Sequence, residues 1–455
     1  MTRAPRRAAA KRGKMGAGPG TAEDPAAEPA PAAGLAGSPA GTPPPGATPD
    51  LAPSLPPAAP VAPATSGRLR HLLILLPSTR FGGTEGHTVQ LAARLATQPG
   101  LRVTLAADPV LMPALAAAFL PEPAQPQLHA AAIGWSGRVP AADEIVAQEA
   151  AAQAAITALA PDILLIPLPW PNAGLGLLRA GTALPRLVVV HLAPEAEPGG
   201  IAEALPGLQA GRAAWCAVSP PGAHRAARFF GLPQGAVAQV DNPAPPPPLA
   251  DRTLLRMTLR GALGLHPDAP LLLFVGRLEQ TKGAQHLPGI AAAAGMTLAC
   301  AGAGPLRPAL DRQAAADPAR HLRLLGHLAD PSAWYLAADA LVLPSALEGL
   351  PLVFLEAAAA GCPVVATESA LEGLGAAAPG LARLVPTPAP EAFGAALRAL
   401  LADPVGAAAM AGRARAEAAR RSWNRILPEW LGLLRAAGAH HALARTPAPE
   451  MEMPR

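Results

Sequence analysis

Two cations and two carboxylates stand out as groups that chemistry could use. Arg277 and Lys282 are five positions apart, directly after the apolar run Leu271–Val275. A guanidinium forks two oxygens and an ammonium acts as a point charge, so such a pair at a strand end suits a diphosphate. Lys282 is the only lysine beyond the first 14 residues, in a chain that uses arginine almost everywhere else. Keeping an ammonium there points to a task a guanidinium cannot fill, although a solvated turn with two charges would read the same way. Glu348 and Glu356 are eight positions apart in LVLPSALEGLPLVFLEAAAAGCPVVAT, residues 341–367. Glu356 falls among Leu, Val, Phe and Ala, where an unpaired ionised carboxylate is strongly unfavourable. It must face a cleft or hold a partner.

These residues need a scaffold, and the pattern around them supplies one. Residues 341–367 read as strand, loop, helix, turn, strand, with Pro351 at the first helical position and Gly361 and Pro363 ending the helix. Near the start, the apolar run LRHLLILL (69–76) leads through PSTRFGGTEG into the helix-like HTVQLAARLAT. In that arrangement Gly82 and Gly83 let the backbone approach a ligand, and the helix start offers free N–H groups to an anion. Many α/β turns contain glycine, so this turn alone is weak evidence. Further strands are expected at 101–107, 163–166, 187–191 and 215–218, then at 271–275, 296–301, 322–325 and 339–343. Helical patterns fall at 141–159, 390–402 and 407–420. In residues 423–434, Trp423, Ile426, Trp430, Leu433 and Leu434 share one helical face. Strands alternating with helices predict α/β domains with doubly wound parallel sheets. His191 ends an apolar strand, where an open α/β sheet places its ligands; a structural histidine would sit there equally well.

The proline run Pro243–Pro248 reads as a stiff connector between two halves. The expected organisation is a disordered Ala/Pro-rich tail (1–66), a first Rossmann-like domain (67–245) and a second one (246–422). A helix packing back toward the first domain (423–445) and a loose tail (446–455) follow. The 455 residues are 51% apolar and 15% charged, enough to bury large cores. Net charge is +4, but Arg3, Arg6, Arg7, Lys11, Arg12 and Lys14 contribute +6, leaving the remainder at −2. A basic nucleic-acid footprint on the body is therefore not expected. The six basic residues would allow a peripheral contact with anionic lipid. Cys216, Cys300 and Cys362 are scattered, without metal-ligand spacing, as expected for buried thiols in a reducing cytoplasm. No uninterrupted apolar stretch reaches the roughly 18–20 residues that span a bilayer.

Taken together, FVGRLEQTKG, CAGAGPL, RLLGHL, YLAADALVLPSALEGLPLVFLEAAAAGCPVVAT and the Gly82-Gly83 turn resemble the retaining glycosyltransferases of family 4, the group 1 glycosyl transferases. The resemblance is dense over 270–367, fainter over 69–245, and does not reach 1–66. It implies a GT-B fold, two facing Rossmann-like domains with a cleft between them, the first (67–245) acceptor-binding and the second (246–422) nucleotide-sugar-binding. It further implies a nucleoside-diphosphate sugar as donor, a hydroxyl acceptor such as a glycan or glycolipid, and no metal or other cofactor. By position, Arg277 and Lys282 would hold the diphosphate, Glu356 the ribose hydroxyls and Glu348 the donor sugar. Gly349, Leu350, Pro351 and Leu352 would form a helix start toward the donor, and Gly82 and Gly83 would bring the first domain's backbone to the phosphates.

The chain departs from the family pattern in three places. Pro167-Leu168-Pro169-Trp170 stands where family members often carry a histidine, which leaves His191 to replace it. Asn242-Pro243 stands for the usual Asn-Gly-Val-Asp, and the glycine-rich loop after the two glutamates is reduced to Glu372-Gly373. Two alternatives stay open at this point: a non-catalytic nucleotide-sugar binder that has kept the fold, and a twin-Rossmann epimerase.

Overall fold

The computed structural model of the chain describes residues 69–208 and 210–445. The expected tails, 1–66 and 446–455, lie outside the described residues. Each half begins with a strand too apolar to tolerate a wet face. His71–Leu76 (β1) is buried along its whole length, with Leu73 and Leu75 in one core layer and Leu72, Ile74 and Leu76 in the other. Leu271–Val275 behaves alike, with Leu271 and Leu273 on one face and Leu272 and Phe274 on the opposite one. Period-two alternation of purely apolar residues means helices must cover both faces, which is the doubly wound arrangement.

The first sheet contains β1, Arg102–Ala107 (β2), Gln127–Ala130 (β3), Ile163–Leu168 (β4), Arg186–Val190 (β5), Ala214–Ala217 (β6) and Val237–Gln239 (β7). Its order is β3-β2-β1-β4-β5-β6-β7, and every pairing is parallel. The second contains Leu271–Val275 (β8), Thr297–Ala301 (β9), Leu322–Gly326 (β10), Ala340–Leu343 (β11), Val364–Thr367 (β12) and Arg383–Val385 (β13). Its order is β10-β9-β8-β11-β12-β13, again all parallel. The direction of winding reverses between β1 and β4 and between β8 and β11, the places where such sheets open a crevice at their carboxyl ends.

An aspartate fixes the register at each reversal. Asp162, just before β4, accepts the His71 N–H at 2.8 Å while its own N–H donates to the His71 carbonyl at 2.9 Å. Asp339, just before β11, accepts the Leu271 N–H at 2.8 Å and donates its N–H to the Leu271 carbonyl, also at 2.8 Å. Arg256 and the fully buried Arg260 neutralise Asp339 at 2.6 and 2.7 Å. A one-residue slip would turn every apolar side chain to the wrong layer, and these carboxylates oppose it at the strands that carry the site.

The chain crosses between the two sheets twice, and the crossings run side by side. Ala244 bridges Ser422 and donates its N–H to the Arg421 carbonyl at 2.8 Å, while Arg421 Nε pairs with Asp241 at 2.8 Å. After the second crossing the helix Trp423–Arg445 lies on the first sheet. There Trp423, Ile426, Trp430, Leu434 and Ala437 join the layer of Leu72, Ile74 and Leu76.

The sequence reading misses β3, β7 and β13, all of which are short edge strands. Gln127–Ala130 and Arg383–Val385 carry polar residues and partial exposure, so they lack the apolar run that marks a central strand. Pro351 is also one position off: it caps the helix Leu352–Ala360, with extended φ and ψ of −68° and 124°. Trp430 has no exposed surface. Trp430→Ala is expected to lower unfolding stability by about 3–5 kcal/mol, measured by urea unfolding, because the terminal helix loses its main anchor on the first domain.

Candidate functional site

The loops that follow β8 and β11 are stitched together before any side chain is considered. Lys282 ends the short turn Gln280–Lys282, and Gly283 leaves it at φ +70°. A side chain at 283 would collide with the Pro344 carbonyl oxygen, so only glycine satisfies both the left-handed backbone and the close approach. The Ala346 N–H then donates to the Thr281 carbonyl at 3.0 Å. Held this way, Lys282 Nζ donates to both oxygens of Glu348, at 2.6 and 2.8 Å. Glu348 is only 6% exposed, whereas the lysine side chain remains partly open. An ammonium has three donors, so one direction is left for an incoming anion while Glu348 is fixed in place.

Arg277 is the more exposed cation and pairs with Glu279 at 2.9 Å. Its Nε lies 3.4 Å from where a Cβ on Gly82 would be, and Glu85 Oε2 lies 3.3 Å from the same point. Leu352 Cδ1 stands 3.9 Å from the corresponding position on Gly83. The glycine turn of the first domain thus faces the cation and the helix start of the second. Gly83 opens the helix Gly83–Ala96, whose first N–H groups have no carbonyl of a preceding helical turn to bond and give that end a partial positive charge. Glu85, in that first turn, is buried and accepts a hydrogen bond from Ser78 Oγ. Burial raises the Glu85 carboxyl above its ordinary range, against the lowering effect of Ser78 and Arg277.

Gly349 to Leu352 sit where the two domains touch. A Cβ on Gly349 would collide with the His191 carbonyl oxygen and come 2.8 Å from Val218 Cγ2. Asn242 Nδ2, from the first crossing, donates to the Leu350 carbonyl at 2.6 Å. Glu356, on the helix that follows, has the partner its surroundings demanded: Tyr335 Oη donates to Oε2 at 2.6 Å. Burial pushes both groups up, the tyrosine well above its ordinary range, so the phenol stays a donor to the carboxyl.

The structure therefore brings together Arg277, Lys282, Glu348, Gly82, Gly83 and the 349–352 loop, with Glu356 one helical turn behind. It does not bring the His191 ring to them. His191 lies one residue past β5 and is 6% exposed. Its ring meets His87 edge-on at 5.1 Å between centroids, and Trp430 packs on His87 at 5.4 Å. Only its carbonyl reaches Gly349. Burial lowers both imidazoles, His87 to about 4 and His191 well below its ordinary value, with His87 adding to the effect on His191. Residues the sequence reading did not single out for the site are Glu85, Tyr335 and Asn242. Tyr335 is the only tyrosine in the chain, a signal of the same kind as the isolated lysine. Among the described residues, no three His, Cys, Asp or Glu side chains converge in a way that would hold a metal ion.

Residues 269–403 match the family model for Glycosyl transferases group 1. The second domain is a group 1 glycosyl transferase domain. All the group 1 positions named above, from Arg277 to Glu356, fall inside the matched stretch. The D-inositol 3-phosphate glycosyltransferase of Xylanimonas cellulosilytica is 36% identical over 197 residues, covering 39% of this chain and 45% of that protein. Its counterpart in Corynebacterium urealyticum is 37% identical over 196 residues, with the same coverage. This chain thus spans less than half the length of those two curated relatives. In fold the likeness extends further. Anabaena HepE, solved in complex with UDP, matches with a TM-score of 0.61 at 19% identity, covering 80% of this chain and 100% of HepE. A glycosyltransferase from Rickettsia africae matches with a TM-score of 0.64 at 15% identity, covering 82% and 99%. The two parallel sheets and their facing loops are the GT-B fold.

Two outcomes follow for the group 1 domain and its neighbour. Tyr335→Phe is expected to destabilise the chain by about 1–3 kcal/mol, because it leaves a buried carboxyl without its donor; thermal unfolding measures this. Burial holds both histidines below their ordinary pKa in the folded chain, so below pH about 6.5 the unfolded chain binds more protons. Stability should fall as pH drops from about 6.5 toward 4, by up to ~1.4 kcal/mol per pH unit for each histidine. Urea unfolding across that range, with a shallower slope for His87→Gln, checks it.

Proposed function

We propose that this chain is a retaining, metal-independent glycosyltransferase that moves a sugar from a nucleoside-diphosphate sugar to a hydroxyl acceptor such as a glycan or glycolipid. The observation that carries this reading is the Lys282–Glu348 pair on the loops that also carry Arg277 and Leu352, which face the Gly82-Gly83 turn of the opposing domain. Supporting it are relatives named as D-inositol 3-phosphate glycosyltransferases and a fold neighbour, Anabaena HepE, solved with UDP and with UDP-glucose.

In this reading the bond between the anomeric carbon and the diphosphate breaks, and the acceptor oxygen bonds to that carbon on the same face. The acceptor proton leaves to the departing diphosphate. Arg277, Lys282 and the N–H groups at the start of the Gly83–Ala96 helix stabilise the negative charge that develops, and they do so without reorganising. Glu348, immobilised by Lys282, stands beside the sugar. Glu356, with one oxygen held by Tyr335, takes the ribose hydroxyls. The first domain orients the acceptor hydroxyl. His191 acts as part of the wall through its carbonyl.

A second reading, a nucleotide-sugar binder without catalysis, is favoured by one observation: the His191 ring is buried edge-on against His87. Mass spectrometry of reactions with panels of nucleotide sugars and acceptors separates the two. Transfer of a sugar with retained anomeric configuration is expected. Lys282→Ala should reduce kcat about 100-fold or more, as removal of one preorganised donor does. Tight donor binding with no product would instead favour the binder.

A further inference from the structure

Outside the anion site, and apart from the Arg421–Asp241 pair at the crossings, a charged cluster joins the two domains. Arg225 lies on the helix Pro220–Phe229 behind β6 and is 7% exposed. Its guanidinium grips Glu372 of the second domain with both forks, Nη1 to Oε1 at 2.5 Å and Nη2 to Oε2 at 2.9 Å. The same group is held on the first domain's side by the Glu195 carboxylate and by the Ala193 carbonyl, the latter at 3.1 Å. A buried guanidinium needs its donors filled, and here the filling comes from both sides of the cleft.

What Glu372 is attached to gives the pair its meaning. The segment Ser369–Ala377 follows β12 and is tied to the donor loop at its root. Thr367 Oγ1 donates to the Ser345 carbonyl at 2.5 Å, and Ser369 Oγ donates to the same oxygen at 3.2 Å. At its tip, Gly373 presses on the Gly349 carbonyl so closely that a Cβ would collide with it, and that Cβ would stand 3.1 Å from Ser219 Cβ. Ser219 in turn caps the helix that carries Arg225, accepting the Gly222 N–H at 3.2 Å. From Arg225 the contacts run through Glu372-Gly373 to Gly349, and from there along the chain to Glu348 and Lys282.

We propose that Arg225 is a positioning residue: by clamping Glu372 it seats the 345–352 loop against the first domain, so that the closed cleft and the formed donor site are one state. The chain's shortened Glu372-Gly373 loop then has its own task, an interdomain strap. This deepens the glycosyltransferase reading and rests on it for its kinetic consequence, though not for its structural one.

The test uses the full chain with Arg225→Gln, Glu372→Gln and the double variant. Glu372→Gln approaches the contact from a partly exposed side chain, so it remains informative if Arg225→Gln folds poorly. With donor and acceptor, each single variant should raise the donor KM about tenfold, equivalent to ~1.4 kcal/mol, while kcat changes much less. The double variant should be no worse than either single one, because both remove the same contact. Amide hydrogen exchange, which needs no substrate, should show faster exchange at 345–352 and 369–377 in both variants. Wild-type exchange in those segments would overturn the proposal. So would additive effects, or a lowered unfolding midpoint with an unchanged donor KM. If the native chain transfers no sugar, the function reading fails, and the exchange result still decides the strap.

Discussion

The constraint on which the rest depends is the contact of backbone with backbone at Gly349. The loop that carries Glu348 lies so close to the His191 carbonyl that no side chain fits between them. Domains usually meet through side chains that can give by a few tenths of an ångström, whereas two main chains in contact set a distance. That distance places the Lys282–Glu348 pair and Arg277 opposite the Gly82-Gly83 turn. Gly373 repeats the device on the far side of the same loop, pressing on the Gly349 carbonyl. The donor loop is thus held between two glycine contacts, with the Asn242 hydrogen bond to Leu350 fixing its direction.

Behind that contact, each half uses the same frame. The aspartate before the fourth strand of the first sheet and its equivalent in the second both close a reciprocal pair with the first residue of the leading strand. The frame places the carboxyl ends of β1 and β8 where the winding reverses, and every proposed anion contact extends from those ends or from β11. The two halves differ in what they put there. The first offers backbone, a glycine turn and a helix start, with a buried Glu85 whose carboxyl burial pushes above its ordinary range. The second offers the cations.

Much of this was readable in advance, for a physical reason. Buried central strands must be apolar along their whole length, so Leu72–Leu76 and Leu271–Phe274 announce themselves, and isolated charges after such runs mark the site. The same logic required a partner for Glu356 without saying which, because Tyr335 is 21 positions away and meets it only after helix packing. Arg225 and Glu372 are 147 positions apart on different domains, so nothing local reports their pairing. The orientation of His191 was hidden for a related reason. A strand-end position fixes where a side chain starts, but the ring packs against His87, on which Trp430 of the returning terminal helix packs in turn. Edge strands β3, β7 and β13 escaped because exposure removes the apolar pattern on which the reading relies.

The central claim is that one diphosphate site is built from both domains. A crystal structure of the protein with a bound nucleoside diphosphate tests it most directly. The account predicts phosphate oxygens within hydrogen-bond distance of the Arg277 guanidinium and the Lys282 ammonium, with the diphosphate lying over Gly82 and Gly83. A diphosphate bound elsewhere, with Arg277 still paired only to Glu279 and Lys282 only to Glu348, would contradict it.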